Sequence, residues 1–226
     1  MSSDKIKVGI LGATGVVGQN YIKLLVGHPW FEIVDVAASP RSAGKPYAEA
    51  VTGRWRMSIE IPKNVENLVV RDVQDFASFK SNVSFVFSAM DLPKKEDTKA
   101  IEFQYAEKGI PVISNSSANR WTPDVPMIIP EINYNHIDVI PIQQKNRGFS
   151  RGFVTVKPNC SIQSYMTPIY ALETSGYKVD KMIVTTLQAV SGAGYPGVPS
   201  LDVVDNIVPY IGGEEKKSEE EPSKIL

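Results

Sequence analysis

The segment Gly12-Ala13-Thr14-Gly15-Val16-Val17-Gly18 constrains this chain more than any other stretch. It follows a strand-like run, residues 5–11 (KIKVGIL). It opens a helix-like run over 15–26, with an apolar face from Val16, Tyr21, Leu24 and Leu25. A second strand-like run follows at 31–38 (FEIVDVAA). Strand, glycine turn, helix and strand together force a parallel pair with a right-handed crossover. The spacing is G-x-x-G-x-x-G, a variant of G-x-G-x-x-G, and the physics carries over. Gly12, Gly15 and Gly18 allow a tight turn and close approach of the backbone to a pyrophosphate. The helix N-terminus adds N–H donors and positive potential. The competing explanation is a glycine turn that only packs helix on strand.

Further strand candidates lie at 67–71, 83–89 (VSFVFSA) and 110–114 (IPVIS). Residues 73–80 look helical. Residues 93–108 read as a charged surface helix, with Pro93 in its first turn and Gly109 just past its end. This alternation predicts an α/β fold with a doubly wound, mostly parallel sheet. Residues 121–150 read as connecting structure and 152–157 (GFVTVK) as a strand. From Cys160, Ile162, Met166, Ile169 and Tyr170 recur at helical spacing, giving a face to pack on the sheet. Residues 180–190 (DKMIVTTLQAV) read as a long strand and 191–199 as a Gly/Pro loop. The polar stretch 212–224 fits a loop, a short charged helix or a frayed tail. A domain boundary is expected near 158, dividing residues 1–158 from 159–226.

The end of the second strand bears on the dinucleotide. An NAD site places an acid there to hold the ribose 2′-hydroxyl. Here the tip reads Ala38-Ser39-Pro40-Arg41-Ser42, and Asp35 comes too early. Arg41 can pair with a 2′-phosphate, and Ser39 and Ser42 can donate to it, so NADP is expected. The alternative is a solvated loop arginine.

Cys160 is the only cysteine of the 226 residues. It sits in Lys157-Pro158-Asn159-Cys160-Ser161, where a strand gives way to a helix. A thiol there faces unpaired N–H groups and the positive end of the helix dipole, which favour the thiolate. Asn159 and the Cys160 N–H could hold an oxyanion. By itself a lone cysteine is more often a small buried apolar residue. Beside a dinucleotide site it suggests covalent redox chemistry at an acyl carbon. Of two histidines, His28 reads as a turn residue and His136 as surface or supporting, and neither is marked as a base. Trp30, Trp55 and Trp121 read as packing residues.

Net charge −1 gives no electrostatic case for nucleic acid or an anionic membrane. A single cysteine suits a reducing cytosol, and the start shows no apolar signal segment, so a cytoplasmic protein is expected. The longest apolar runs are strand-sized, so no membrane span is expected, and no metal site is expected.

The chain resembles the aspartate-semialdehyde dehydrogenase family in its fungal and archaeal type. The resemblance is carried by the glycine segment, Ser39-Pro40-Arg41-Ser42-Ala43-Gly44-Lys45 and Ser114-Asn115-Ser116-Ser117-Ala118-Asn119-Arg120. It continues in Lys157–Ser161, Leu187–Gly197 and Asp205–Ile211. It implies a Rossmann-type domain followed by the first part of a glyceraldehyde-phosphate-dehydrogenase-like α+β domain that binds substrate and dimerises. It implies that Cys160 is the nucleophile and that Gln188 positions the thioacyl intermediate. Arg120 would bind phosphate, and Asn159 would help position substrate. Glu214 and Lys217 match a substrate-contacting Glu-x-x-Lys pair more loosely. Thr14, Gly15, Val16 and Val17 would contact the pyrophosphate, and Ser191 and Gly192 would lie near the nicotinamide.

The implied reaction converts β-aspartyl phosphate to aspartate semialdehyde through a Cys160 thioester, in a homo-oligomer. Family members continue further, with a carboxylate-binding arginine and a catalytic histidine, whereas this chain ends at Leu226. A truncated chain, inactive or nearly so alone, is therefore expected. The alternatives are a shortened paralogue that binds NADP or a partner subunit without chemistry, and a related acyl-CoA reductase such as malonyl-CoA reductase.

Overall fold

A computed structural model describes residues 5–79 and 82–226. The described residues fall into two compact units, one drawn from 1–126 and 138–156 and the other from 127–137 and 157–226.

The first unit is built on six parallel strands in the order β3-β2-β1-β4-β5-β6. These are β1 (Ile6–Leu11), β2 (Phe31–Ala38), β3 (Arg71–Asp72), β4 (Phe85–Ser88), β5 (Val112–Ser114) and β6 (Val154–Val156). The doubly wound sheet read from the alternating pattern is present. Its strand order reverses direction between β1 and β4, which puts a topological switch point at the carboxyl end of β1. Leu11 pairs with Ala37 on one side and Ser88 on the other.

The helix Val16–Leu25 buries Gly18, Gln19, Ile22 and Leu25. The expected apolar face is therefore turned: Leu24 is 69% exposed and Ile22 takes the inner position. Ile22 and Leu25 join Val8, Ile10, Ile33, Val36, Tyr47, Val51, Val65 and Val70 in one hydrophobic cluster. Asp35, inside β2, is buried and ion-paired with buried Arg71, its two oxygens 2.9 Å from Nε and 2.6 Å from Nη2. Arg71 also donates to the Asp75 carbonyl at 2.8 Å. The pair ties β2 to β3 and accounts for an acid in an otherwise apolar strand.

Several sequence expectations are corrected. Residues 73–79 form turns rather than a helix, because the Asp75 carboxylate accepts from the backbone N–H groups of Ala77 and Ser78, an alternative to helical bonding. Lys80, the end of that expected helix, lies outside the described residues. The charged helix runs Lys95–Glu107, leaving Pro93 outside it, and Gly109 follows with φ +81°. It is not purely a surface helix, since Glu102 and Tyr105 are completely buried.

Residues 121–150, expected to be connecting structure, contain the helices Pro130–Asn133 and Ile140–Arg147 with a 3₁₀ turn, Tyr134–Val139, between them. The fully buried Gln143 amide accepts from Val154 N and donates to Val154 O, so the Ile140–Arg147 helix holds β6 in place. Arg147 adds a bidentate pair with Asp124 at 2.8 and 2.7 Å. Trp55 packs edge-on against Tyr47, and Trp30, though exposed, lies edge-on to the His28 ring; Trp121 is exposed and stands outside the core.

In the second unit the helix Cys160–Thr174 buries Ile162 and Met166 and lies against the Pro130–Asn133 helix. Asn133 fastens the unit's two pieces, donating to the carbonyls of Met127 at 3.0 Å and Ile225 at 3.1 Å. Residues 180–189 run without helix or strand pairing. The strand expected there is absent because no described strand lies beside it to bond with; Ile183 is 99% and Leu187 92% exposed. The polar 212–224 stretch resolves into two short helices, Glu214–Glu220 and Pro222–Ile225. Among the described residues no helix is long and apolar enough to cross a membrane.

Candidate functional site

The glycine turn has the geometry that its spacing implies. Gly12 adopts φ +76°, and a Cβ there would lie 2.8 Å from the Ala89 carbonyl, so only glycine fits. A Cβ on Gly18 would collide with the Gly12 carbonyl and the Ala13 backbone. These two glycines let helix, turn and β4 close up. Gly15 differs, because its Cβ would meet only the Gly12 carbonyl, at 3.5 Å. It is exposed and serves as N-cap of the Val16–Leu25 helix with no side chain over the free N–H groups. The outer side of the turn is thus open at a helix N-terminus, a setting suited to a phosphate. Thr14 and Val16 are half-buried and Val17 is exposed.

A missed residue supports this turn. Gln19, 1% exposed, donates to the Thr14 carbonyl at 3.0 Å and to the Arg54 carbonyl at 2.9 Å, and accepts from Arg56 N at 2.8 Å. Its only sequence signal is a polar side chain on the inner face of an amphipathic helix. Buried Tyr47 adds a hydrogen bond to the Ala13 carbonyl at 2.9 Å.

Past β2 the chain turns at Ser39–Ser42, where Ser42 N donates to the Ser39 carbonyl at 2.9 Å. Arg41 is exposed and makes no ion pair among the described residues. Ser42 is buried, and its hydroxyl accepts from Arg54 Nη2 at 3.4 Å.

Arg120 is buried in a loop organised by Glu102. The Glu102 carboxylate accepts from Ser88 at 2.7 Å, Ser114 at 2.6 Å and Asn119 at 2.7 Å. Ser88 and Ser114 end β4 and β5, so one buried acid joins two strand ends to the Arg120 loop. Burial pushes the Glu102 carboxyl up, against the hydrogen bonds from Ser114, Ser88 and Asn119, which pull it down. A carboxyl raised above its ordinary 4.5 adds stability that is complete at lower pH and lost as pH climbs through the raised value. Glu102→Gln should therefore gain stability relative to the parent as pH rises above about 4.5. Urea melts across pH would show this, and a pH-independent difference would contradict it.

The second unit gathers five of the remaining candidates, Asn159, Cys160, Gln188, Glu214 and Lys217, at one helix end. Cys160 is exposed and is the first residue of its helix. Asn159 caps that helix, its Oδ1 accepting from Ser161 N at 2.9 Å. The Cys160 N–H meets no acceptor among the described residues and lies next to the thiol. Glu214 is the hub. It accepts from Asn159 Nδ2 at 2.9 Å, Lys217 Nζ at 2.8 Å, Ser161 Oγ at 3.3 Å and Gln188 Nε2 at 3.3 Å. Burial tends to raise the Glu214 carboxyl, but hydrogen bonds from Lys217 and Gln188, the Lys217 charge and Asn159 together hold it below its ordinary value. It is therefore a carboxylate near neutrality, matched to one cation.

One hydrogen of the Asn159 amide goes to Glu214, so its second hydrogen and the Cys160 N–H are the oxyanion donors at this helix end. A buried acid, Glu221, accepts from Asn159 N at 2.7 Å and fixes the turn; nothing in its polar surroundings marks it in the sequence. Ser191 and Gly192 lie in the 3₁₀ turn Val190–Ala193 of this unit. His136 Nδ1 sits 3.0 Å from the Asn133 amide nitrogen. His28 Nδ1 accepts from Trp30 N and Phe31 N, the turn residue it was read to be. No cluster of metal-ligating side chains occurs among the described residues.

Residues 7–140 match the family model for the NAD binding domain of semialdehyde dehydrogenase. The chain belongs to the semialdehyde dehydrogenase family. Residues 170–226 match the dimerisation domain of semialdehyde dehydrogenase. An aspartate-semialdehyde dehydrogenase from Aspergillus fumigatus is 44% identical over 225 residues, 100% of this chain and 60% of that protein. One from Methanothermobacter thermautotrophicus is 45% identical over 226 residues, 98% of this chain and 61% of that protein. A crystal structure of the Candida albicans aspartate-semialdehyde dehydrogenase with NADP superposes with TM-score 0.84 at 38% identity, covering 99% of this chain and 60% of that one. The chain thus spans about 60% of the length of these relatives. Membership in the semialdehyde dehydrogenase family agrees with the resemblance drawn from the motifs.

Proposed function

We propose that this protein works as an NADP-dependent aspartate-semialdehyde dehydrogenase, converting β-aspartyl phosphate to aspartate semialdehyde through a Cys160 thioester. One observation carries the proposal: Asn159, Gln188, Glu214 and Lys217 meet at the N-terminus of the helix that exposed Cys160 begins. The names of the relatives point to the same substrate.

The Cys160 sulfur attacks the acyl carbon, and the bond to phosphate breaks with its electron pair on the leaving phosphate. The Cys160 N–H donates to the oxyanion that forms in between. Gln188 positions the thioacyl group, and Arg120 binds the phosphate. Lys217, held by Glu214, offers a cation to the carboxylate of the substrate. Gly12, Thr14, Gly15, Val16, Val17 and Gly18 would hold the dinucleotide pyrophosphate, with Ser39, Arg41 and Ser42 at its 2′-phosphate and Ser191 and Gly192 near its nicotinamide. When bound, NADPH supplies the hydride that takes the acyl group to the aldehyde level.

Aspartate semialdehyde should slow alkylation of Cys160 by iodoacetamide, and Lys217→Ala should remove that protection. Equal alkylation with and without the aldehyde would contradict the proposal. Residues 1–158 would be the NADP-binding domain and 159–226 part of the catalytic and dimerising one. The protein would be a homo-oligomer working in the cytoplasm; a monomeric mass at equilibrium in the ultracentrifuge would contradict the assembly.

A further inference from the structure

We propose that Arg54 supplies a second guanidinium to the 2′-phosphate of the dinucleotide, alongside Arg41. The proposal rests on the NADP reading above and adds a residue to it. The position of Arg54 is fixed from three directions. Its side chain donates from Nη2 to the buried Ser42 hydroxyl at 3.4 Å and to the Ala50 carbonyl. Its backbone carbonyl is held by Gln19, the same buried amide that holds the Thr14 carbonyl in the glycine turn. Tyr47, on the short helix before it, donates to the Ala13 carbonyl. The segment that carries Arg54 is therefore stapled to the glycine turn by two buried side chains.

Only Nη2 of Arg54 is engaged; Nε and Nη1 meet no protein acceptor among the described residues. No carboxylate pairs with it there either. A guanidinium hydrogen-bonded to the hydroxyl at the tip of β2, with free N–H donors and uncompensated charge, suits a phosphate dianion. A ribose 2′-hydroxyl at the same place offers no charge to pair with. Arg54 therefore discriminates between the two dinucleotides and contributes nothing to the reacting carbon.

The test is calorimetric binding of 2′,5′-ADP and of 5′-AMP to the whole chain. The parent should bind 2′,5′-ADP more tightly. Arg54→Gln should cut that preference by about 10-fold or more, as expected for loss of a charge-assisted hydrogen bond, with 5′-AMP affinity unchanged. Arg54→Lys should keep part of the preference, and its retained charge makes it the informative variant if Arg54→Gln misfolds. A preference unchanged in Arg54→Gln, with Arg41→Gln abolishing it, overturns the role of Arg54 and leaves the NADP reading standing. No preference in the parent overturns both.

Discussion

Cys160→Ala should lower acyl transfer from β-aspartyl phosphate by roughly 1000-fold or more, because the covalent route disappears with the sulfur. The fold should not change. Cys160 is exposed and the cap of its helix belongs to Asn159, so stability should stay within about 0.5 kcal/mol. Stopped-flow release of phosphate and a urea melt on the same sample separate the two effects. A variant that releases phosphate at the parent rate would remove Cys160 from the chemistry.

Asp35→Ala should be the most damaging single change to the first unit. The carboxylate is 1% exposed and binds the buried Arg71 guanidinium through both oxygens. Removing it leaves a cation without its partner in the sheet interior, at a cost of about 3–5 kcal/mol. In a domain of this size that corresponds to a fall in Tm of roughly 6–20 °C. Replacing both residues by apolar groups of similar volume, as in Asp35→Leu with Arg71→Met, should cost less than Asp35→Ala alone. Calorimetry of the two variants decides this. A double variant worse than the single one would mean that the pair stabilises the fold beyond neutralising Arg71.

How far the sequence could be read follows from where each signal lies. The β1, glycine turn, helix and β2 unit was legible because every element there obeys local rules, down to the positive φ of Gly12. Residues 180–190 show the limit. Their composition favours a strand, but strands exist only in pairs, and pairing is not a local property. The helices within 130–147 were hidden by prolines, which sit in their first turns, where the missing N–H costs nothing.

Buried polar residues were the hardest to see. Glu102 looked like one more charge on a solvated helix, yet it joins two strand ends to the Arg120 loop. Gln19 is marked only as a polar side chain on the inner face of its helix, and Glu221 carries no sequence mark at all. At the thiol site, the helix start at Cys160 was readable from Pro158-Asn159-Cys160. Its link to Glu214 and Lys217, more than fifty residues away, was suggested only by the family resemblance. The hydrogen bonds among Asn159, Gln188, Glu214 and Lys217 now give that link a geometry.

The central claim is that the sulfur of Cys160 takes the acyl group. Intact-protein mass spectrometry after exposure to β-aspartyl phosphate, with no dinucleotide present, reads that event alone. The account predicts a single aspartyl group, located on Cys160, released by hydroxylamine and missing from Cys160→Ala. A chain that stays unmodified, or an adduct that persists in Cys160→Ala, would contradict it.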